Sequence, residues 1–177
     1  MKKIHAFLTR KNIVFSARRY FIDAMAAMAQ GLFCTLLVGT ILDTIGKQFG
    51  VGFLTDAFLT IKQGETVLSY TIGGFCALMV GPAMAVAIGN ALQAPPLVLF
   101  SLITVGFATN TMGGAGGPLA VFFVAILAAE VGKAVSKETK IDILVTPIVT
   151  ILAGIGFAAL VARPIGAAAI SVGKAIM

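Results

Sequence analysis

The sequence predicts an all-α fold, a polytopic bundle of transmembrane helices. Hydrophobic residues make up 59% of the 177 residues and charged residues only 11%, whereas soluble domains carry roughly 25% charged residues. The mean hydropathy is +1.03, and apolar runs close to the ~20 residues that cross a bilayer as a helix recur along the chain. A soluble fold of this size has no room to bury so much apolar surface.

The first 22 residues are predicted to form an amphipathic basic helix that lies in the plane of the lipid headgroups. Lysines and arginines alternate there with apolar residues such as Phe7, Ile13 and Phe21. Six of the 13 basic residues lie before residue 20. Their position ahead of an apolar run indicates the positive-inside bias and attraction to anionic lipid. We therefore expect the lipid bilayer as a partner and no nucleic acid.

Residues 23–177 are predicted to form a transmembrane domain of five to six spans. Each span is bounded by charge, proline or glycine. The five predicted spans are 24–42, 67–88, 96–112, 118–131 and 141–162. A further apolar stretch opens near Pro164 and runs to the last residue, as the start of a sixth span. We therefore expect this domain to be part of a longer membrane domain.

The stretch 47–65 is not predicted to span the membrane. It is only moderately apolar and carries Asp56 in its middle. Irregular backbone at membrane depth is tolerated only where protein or water covers it. The stretch is predicted to be an interfacial helix or a re-entrant segment on the outer face.

The basic residues predict the orientation of the bundle. With the N-terminus in the cytoplasm, its six basic residues and the three lysines of the 132–140 loop share one side. The other side receives only Lys47, Lys62 and Arg163. Because lysine and arginine resist translocation, nine against three predicts a cytoplasmic N-terminus in a multi-pass plasma-membrane protein.

Polar residues at the end of the third predicted span form the first candidate site. Four glycines and then a proline follow them, and this exposes backbone N–H and C=O groups. Transporters often bind solutes at such interrupted helices; the alternative is a tight turn that lets two helices approach closely. A second break, at a proline in the fifth span, also frees carbonyl groups. The predicted substrate-binding residues are Thr109, Asn110, Thr111, Gly113, Gly114, Gly116, Gly117 and Pro147.

Three further polar residues lie in or near the spans and are candidates for a solute pathway. They are Gln30, Asn90 and Glu130. A polar group inside the membrane is expensive and is a functional candidate by default. The alternative for Asn90 is a cap at a helix end, and Glu130 lies close to the membrane boundary.

Motifs of soluble enzymes are absent from the sequence. It has no GxSxG, no HExxH, no Walker glycine loop and a single histidine. Cys34 and Cys76 lie inside predicted spans without CxxC spacing, which argues against a disulfide framework or a zinc site. We predict no catalytic residue, no metal and no cofactor.

The chain resembles a known family in three segments: VGPAMAVAIGNAL, GFATNTMGGAGGPLAVFFVAILAAEVGK and KETKIDILVTPIVTILAGIGFAALVARPIG. They are similar to the membrane subunits called enzyme IIC of the bacterial phosphotransferase system, in the perfringolysin-O-regulator-like branch. The resemblance begins near residue 15 and implies sugar translocation coupled to phosphorylation, with phosphate delivered by cytoplasmic subunits. It also implies a homodimer, or pairing with a second half, in the bacterial inner membrane. The chain would correspond to the N-terminal half of such a subunit.

Two functions remain open at this point. The first is a transport subunit that binds and translocates a small polar solute, a sugar by the resemblance. As an enzyme it would be at most the membrane component of a phosphotransferase system. The second is a membrane-embedded regulatory or sensory protein without transport activity, acting through the basic N-terminal helix or the 133–140 loop. Nothing in the sequence resembles a channel filter or a ring of charge.

Overall fold

The fold is a bundle of helices with one small hairpin of strands, as a computed structural model that describes residues 2–63 and 66–176 shows. The all-α class is confirmed apart from that hairpin. The helices are α1 (Lys2–Arg10), α2 (Arg18–Phe49), α3 (Gly52–Thr55), α4 (Ile72–Leu78), α5 (Val80–Ala91), α6 (Pro96–Gly113), α7 (Gly117–Val135) and α8 (Asp142–Ile176). The strands are β1 (Leu59–Gln63) and β2 (Thr66–Tyr70).

Three helical runs among the described residues are long and apolar enough to cross a membrane. They are Arg18–Phe49, Pro96–Val135 and Asp142–Ser171. The pair α4 and α5, bent by 50°, is a fourth if it counts as one span. The chain is therefore a membrane-embedded helical protein, and length with composition indicates three or four crossings.

The run Pro96–Val135 is a helical hairpin that folds back at a glycine turn, Gly114–Gly116. A Cβ atom added to Gly132 in α7 would lie 2.8 Å from Val98 Cγ1 near the start of α6. The two ends of the run therefore lie side by side. Gly114 has φ 51° and ψ −122°, a conformation open to glycine because it has no Cβ. The arms, of 18 and 19 residues, are each about 27–28 Å long.

The N-terminal region is not the single helix expected over residues 1–22, and its position at the lipid headgroups stays a prediction. Helix α1 ends at Arg10, residues 11 and 12 form a turn, residues 13–16 have no regular secondary structure, and α2 begins at Arg18. Asn12 adopts φ 53°, and the N–H of Ile13 bonds back to the Leu8 carbonyl at 2.9 Å. A left-handed residue with this bond ends a helix.

The stretch 47–65 is not the single interfacial helix or re-entrant segment that we expected. It contains the end of α2, the short helix α3 and strand β1; residues 64 and 65 lie outside the described part. Strand β1 pairs antiparallel with β2, from Leu59 opposite Tyr70 to Gln63 opposite Thr66. The expected span 67–88 therefore begins as a strand, and its helix starts at Ile72, after Thr71.

Helix α8 runs through both of its prolines. Pro147 and Pro164 lie inside one helix of 35 residues, so within residues 2–63 and 66–176 the separate sixth span expected after Pro164 is not formed. Each proline removes one helical hydrogen bond. The rest of the helix supplies enough bonds to continue past them.

Glycines mediate the closest contacts between the helices. Positions where a Cβ atom would meet a neighbouring helix include Gly31 in α2, 2.7 Å from the Ala83 carbonyl oxygen in α5. Another is Gly154 in α8, 2.6 Å from Val105 Cγ1 in α6. Small residues are the usual means of helix association in lipid, since burial of apolar surface gives no driving force there. Large apolar side chains such as Leu160, 74% exposed, cover the outside.

Candidate functional site

The last turns of α6 contain Thr109, Asn110 and Thr111. Their side chains differ in whether their polar groups are already hydrogen-bonded within the helix. The hydroxyl of Thr109, which is fully buried, donates to the Val105 carbonyl at 2.7 Å. That of Thr111 donates to the Phe107 carbonyl at 2.8 Å. Both protons are thus used within the helix, as is usual for threonine in apolar helices. The side-chain amide of Asn110 makes no hydrogen bond to any residue that the structure describes.

Asn110 lies where α5, α6 and α7 meet. A Cβ atom at Gly81 of α5 would lie 2.5 Å from Asn110 Cβ, and one at Gly117 of α7 would lie 2.5 Å from Asn110 Oδ1. The half-buried amide therefore fits only because both facing residues are glycine. The amide has one carbonyl and two N–H groups, and none of them is hydrogen-bonded to a described residue.

The glycines of the turn serve mainly for close packing against α8. A Cβ atom at Gly116 would lie 2.9 Å from the Gly166 Cα atom, and one at Gly166 would lie 2.5 Å from the Gly113 carbonyl oxygen. Around Gly114 there is open space within 4 Å. The tight turn considered as an alternative is therefore present, and solute binding at this turn stays a prediction.

Pro147 is not brought to the glycine turn. Helix α8 runs parallel to α6, since Gly113 lies beside Ala162 and Val105 beside Gly154. Pro147 is 15 residues before Ala162 in the sequence, which is about 22 Å along a helix axis. The predicted binding residues thus lie in two separate groups at opposite ends of the bundle.

The three predicted pathway residues also lie apart. Gln30 on α2 and Asn90 on α5 are both exposed. Glu130 on α7 is largely buried; its Oε1 atom accepts from Lys133 Nζ at 2.9 Å, and its Oε2 atom is buried. It borders an apolar groove of about 420 Å³ together with Tyr20, whose buried hydroxyl interacts with the Glu130 carboxylate. A carboxylate largely buried beside apolar surface is costly, which keeps Glu130 a functional candidate.

Lys133 is the most deeply buried charge that the structure describes. Its side chain is 2% exposed, and Nζ donates to Glu130 Oε1, to the Leu92 carbonyl at 3.0 Å and to the Asn12 carbonyl at 3.1 Å. All three of its protons are therefore used. The sequence interpretation placed Lys133 in the cytoplasmic loop after the fourth predicted span, not inside α7. The spacing of Glu130 and Lys133, one helical turn apart, was the available signal for their pairing.

Charged residues around Lys133 join α1 to the loop between α7 and α8. Arg10 and Lys11 each form a salt bridge of 2.6 Å with Glu138. Lys11 Nζ also donates to the Ser136 carbonyl. The Lys11 ammonium, helped by Arg10, holds the pKa of the Glu138 carboxyl below its usual range. We call this group of contacts, at Arg10–Asn12, Leu92–Gln93 and Glu130–Glu138, the basic end of the bundle.

No group of three or more His, Cys, Asp or Glu side chains comes together in the part of the chain that the structure describes. Both cysteines are free thiols. The polar chemistry available is therefore that of an amide at the glycine turn and of ammonium, guanidinium and carboxylate groups at the basic end.

The family model described as "Phosphotransferase system, EIIC" matches residues 22–177, which is most of the chain. The chain belongs to this family. This EIIC family member is thus a membrane-embedded component of a phosphotransferase system, and it works with other components of that system. The resemblance stated from the sequence is confirmed. No curated protein and no solved structure matches the chain.

Proposed function

We propose that this EIIC family member is the membrane subunit that binds and translocates a small polar solute, a sugar, in a phosphotransferase system. Family membership supports the system and the membrane location. One observation supports solute binding: the Asn110 amide lies at the junction of three helices and has no hydrogen-bond partner among the described residues. A sugar hydroxyl both donates and accepts hydrogen bonds, as does an amide.

We infer five membrane crossings. They are α2, the bent pair α4 and α5, α6, α7 and α8. Support for counting α6 and α7 separately is the return of α7 along α6, from Gly117 beside Asn110 to Gly132 beside Val98. Each arm is close to the ~30 Å thickness of a bilayer core. Helix α1 then lies at the membrane surface.

The proposed orientation places the basic end in the cytoplasm of a bacterium and the chain in its inner membrane. The positive-inside bias supports this. The basic end is then the surface that cytoplasmic phosphotransferase subunits contact. We further propose a homodimer or pairing with a second half of the transporter, because the middle of α2 exposes the polar residue Gln30 among apolar side chains such as Met25 and Phe33.

The test of the solute site is a binding panel on purified protein. Sugars and polyols are added singly and thermal stability is measured, because a ligand that binds only the folded state stabilises it. We expect a stabilising shift with one sugar, its loss in Asn110→Ala and its retention in Gln48→Ala. Gln48 gives the matched control because its side chain is an exposed amide near the end of α2. No shift with any compound, or an equal loss in both variants, would contradict the proposed site.

A regulatory or sensory protein without transport is the second candidate. One observation favours it: α1 and the loop after α7, the two segments expected to contact partners, form one surface through Arg10, Lys11 and Glu138. Crosslinking in cells with a photoreactive residue at position 137 tests it. Capture of a gene-regulatory protein, together with no solute uptake, would favour regulation over transport.

A further inference from the structure

The basic end encloses a cleft of about 310 Å³ between three segments that are distant in the sequence. Its charged lining consists of four basic residues and one acidic residue, which gives a formal charge of +3. These are Arg10, Lys11, Lys133 and Lys137, with Glu138. The amides of Asn12 and Gln93 also line it. The cleft is large enough for a small ligand, since such sites begin at about 300 Å³.

The basic residues of the cleft divide into two kinds. Lys133 and Lys11 are 2% and 8% exposed in their side chains and are fully engaged with carbonyl groups and carboxylates. These two lysines join the chain segments that line the cleft. Arg10 is 64% exposed and gives one of its two terminal nitrogens to Glu138. The Lys137 ammonium forms no salt bridge with the described residues. Arg10 and Lys137 are thus available to a ligand.

The backbone at the cleft is unusual as well. Asn12, Gln93 and Lys137 have φ values of 53°, 55° and 63°, and they are the only non-glycine residues with positive φ among those described. All three line the cleft. Each follows the end of a helix, so the C-termini of α1, α5 and α7 converge here. Helix C-termini carry partial negative charge. Lys133 and Lys11 donate to their carbonyl groups, which leaves the rim with Arg10 and Lys137 cationic.

We propose that this cleft binds a phosphate group, carried by a phospholipid headgroup or by a phosphorylated small molecule. Arginine presents a planar fork of donors that matches phosphate oxygens, and lysine supplies a point charge. The Gln93 amide N–H groups, unpaired among the described residues, add neutral donors. The site is distinct from Asn110, and its test does not depend on solute transport.

The test uses the full chain in nanodiscs of phosphatidylcholine. One arm titrates inorganic phosphate and glucose 6-phosphate and measures binding by calorimetry. The other arm adds phosphatidylglycerol to the nanodiscs and counts the lipids retained on the protein by native mass spectrometry. The variant is Arg10→Gln with Lys137→Gln. The matched control is Lys47→Gln with Arg163→Gln, which removes two exposed charges away from the cleft.

We expect at least one arm to show binding that falls roughly tenfold to thirtyfold in the Arg10 and Lys137 variant. The control should bind like the wild type. Binding in the phosphatidylglycerol arm alone identifies a lipid headgroup, and binding in the phosphate arm alone identifies a soluble ligand. No binding in either arm, binding that the variant retains, or an equal fall in the control would overturn the proposal.

Discussion

The two ends of the α6–α7 hairpin are stabilised by different kinds of interaction. At the glycine turn, backbones touch at Gly113, Gly116 and Gly166, and the Asn110 amide is unpaired among the described residues. At the basic end, Lys133 alone makes three hydrogen bonds, one within α7 and one each to the segments that follow α5 and α1. One end is fixed by close backbone packing and contains an amide with no partner among the described residues. The other is fixed by charge and joins segments distant in sequence.

The largest expected effect is at Lys133. Replacing it with methionine leaves the buried Glu130 carboxylate and the Asn12 carbonyl without their donor, while the Leu92 carbonyl keeps its hydrogen bond from Arg19. Breaking a buried ion pair by removing one partner typically costs about 3–5 kcal/mol. We expect a loss of this size in the free energy of unfolding, measured by denaturant titration in detergent. Lys140→Met, at an exposed position of the same loop, should change it by less than about 0.5 kcal/mol. Equal effects of the two variants would show that the hydrogen bonds of Lys133 do not stabilise the basic end.

A smaller effect is expected at the glycine turn. Gly117→Ala places a methyl group 2.5 Å from Asn110 Oδ1 and 2.6 Å from the Asn110 carbonyl oxygen. Overpacking of this kind costs about 1–3 kcal/mol. Gly156→Ala is the matched control, because its Cβ atom would have nothing within 4 Å. We expect Gly156→Ala to be neutral or slightly stabilising through helix propensity. If thermal unfolding is unchanged in Gly117→Ala, α6 and α7 do not meet as closely as described.

The smallest effect is expected from Glu138, which is exposed. Its pKa is lowered by Lys11 and then by Arg10, so its ion pairs stabilise the docked α1 above the usual carboxyl pKa. That stabilisation is lost as pH falls from the usual carboxyl range through the lowered folded-state pKa. Hydrogen exchange of the α1 amides, corrected for intrinsic rates, should show this loss of protection. Glu138→Gln should start with less protection and show no further loss in acid. The same acid response in that variant would assign the change to another group.

Much of the hairpin was predictable from the sequence, because proline and glycine mark its boundaries. The expected spans 96–112 and 118–131 correspond closely to α6 and α7. The basic end was not predictable, since Lys133 is buried only when Asn12 and Leu92 come next to it. The strands were missed because the sequence of 47–65 was interpreted only as a spanning helix, an interfacial helix or a re-entrant segment. At the candidate site, the polar type of Asn110 and the glycines that follow it indicated a break between two helices. Their distance from Pro147 was not predictable, because it depends on how α8 packs against α6.

The central claim is that the glycine turn and the basic end lie on opposite faces of the membrane. Single cysteines at Ala115 in the turn and Thr139 in the loop, both exposed positions, test it directly in a chain with Cys34 and Cys76 replaced by serine. A membrane-impermeant maleimide added to intact cells should label position 115 and should label position 139 only after permeabilisation. Labelling of both positions from the same side would contradict the claim, because the hairpin would then enter and leave on one face.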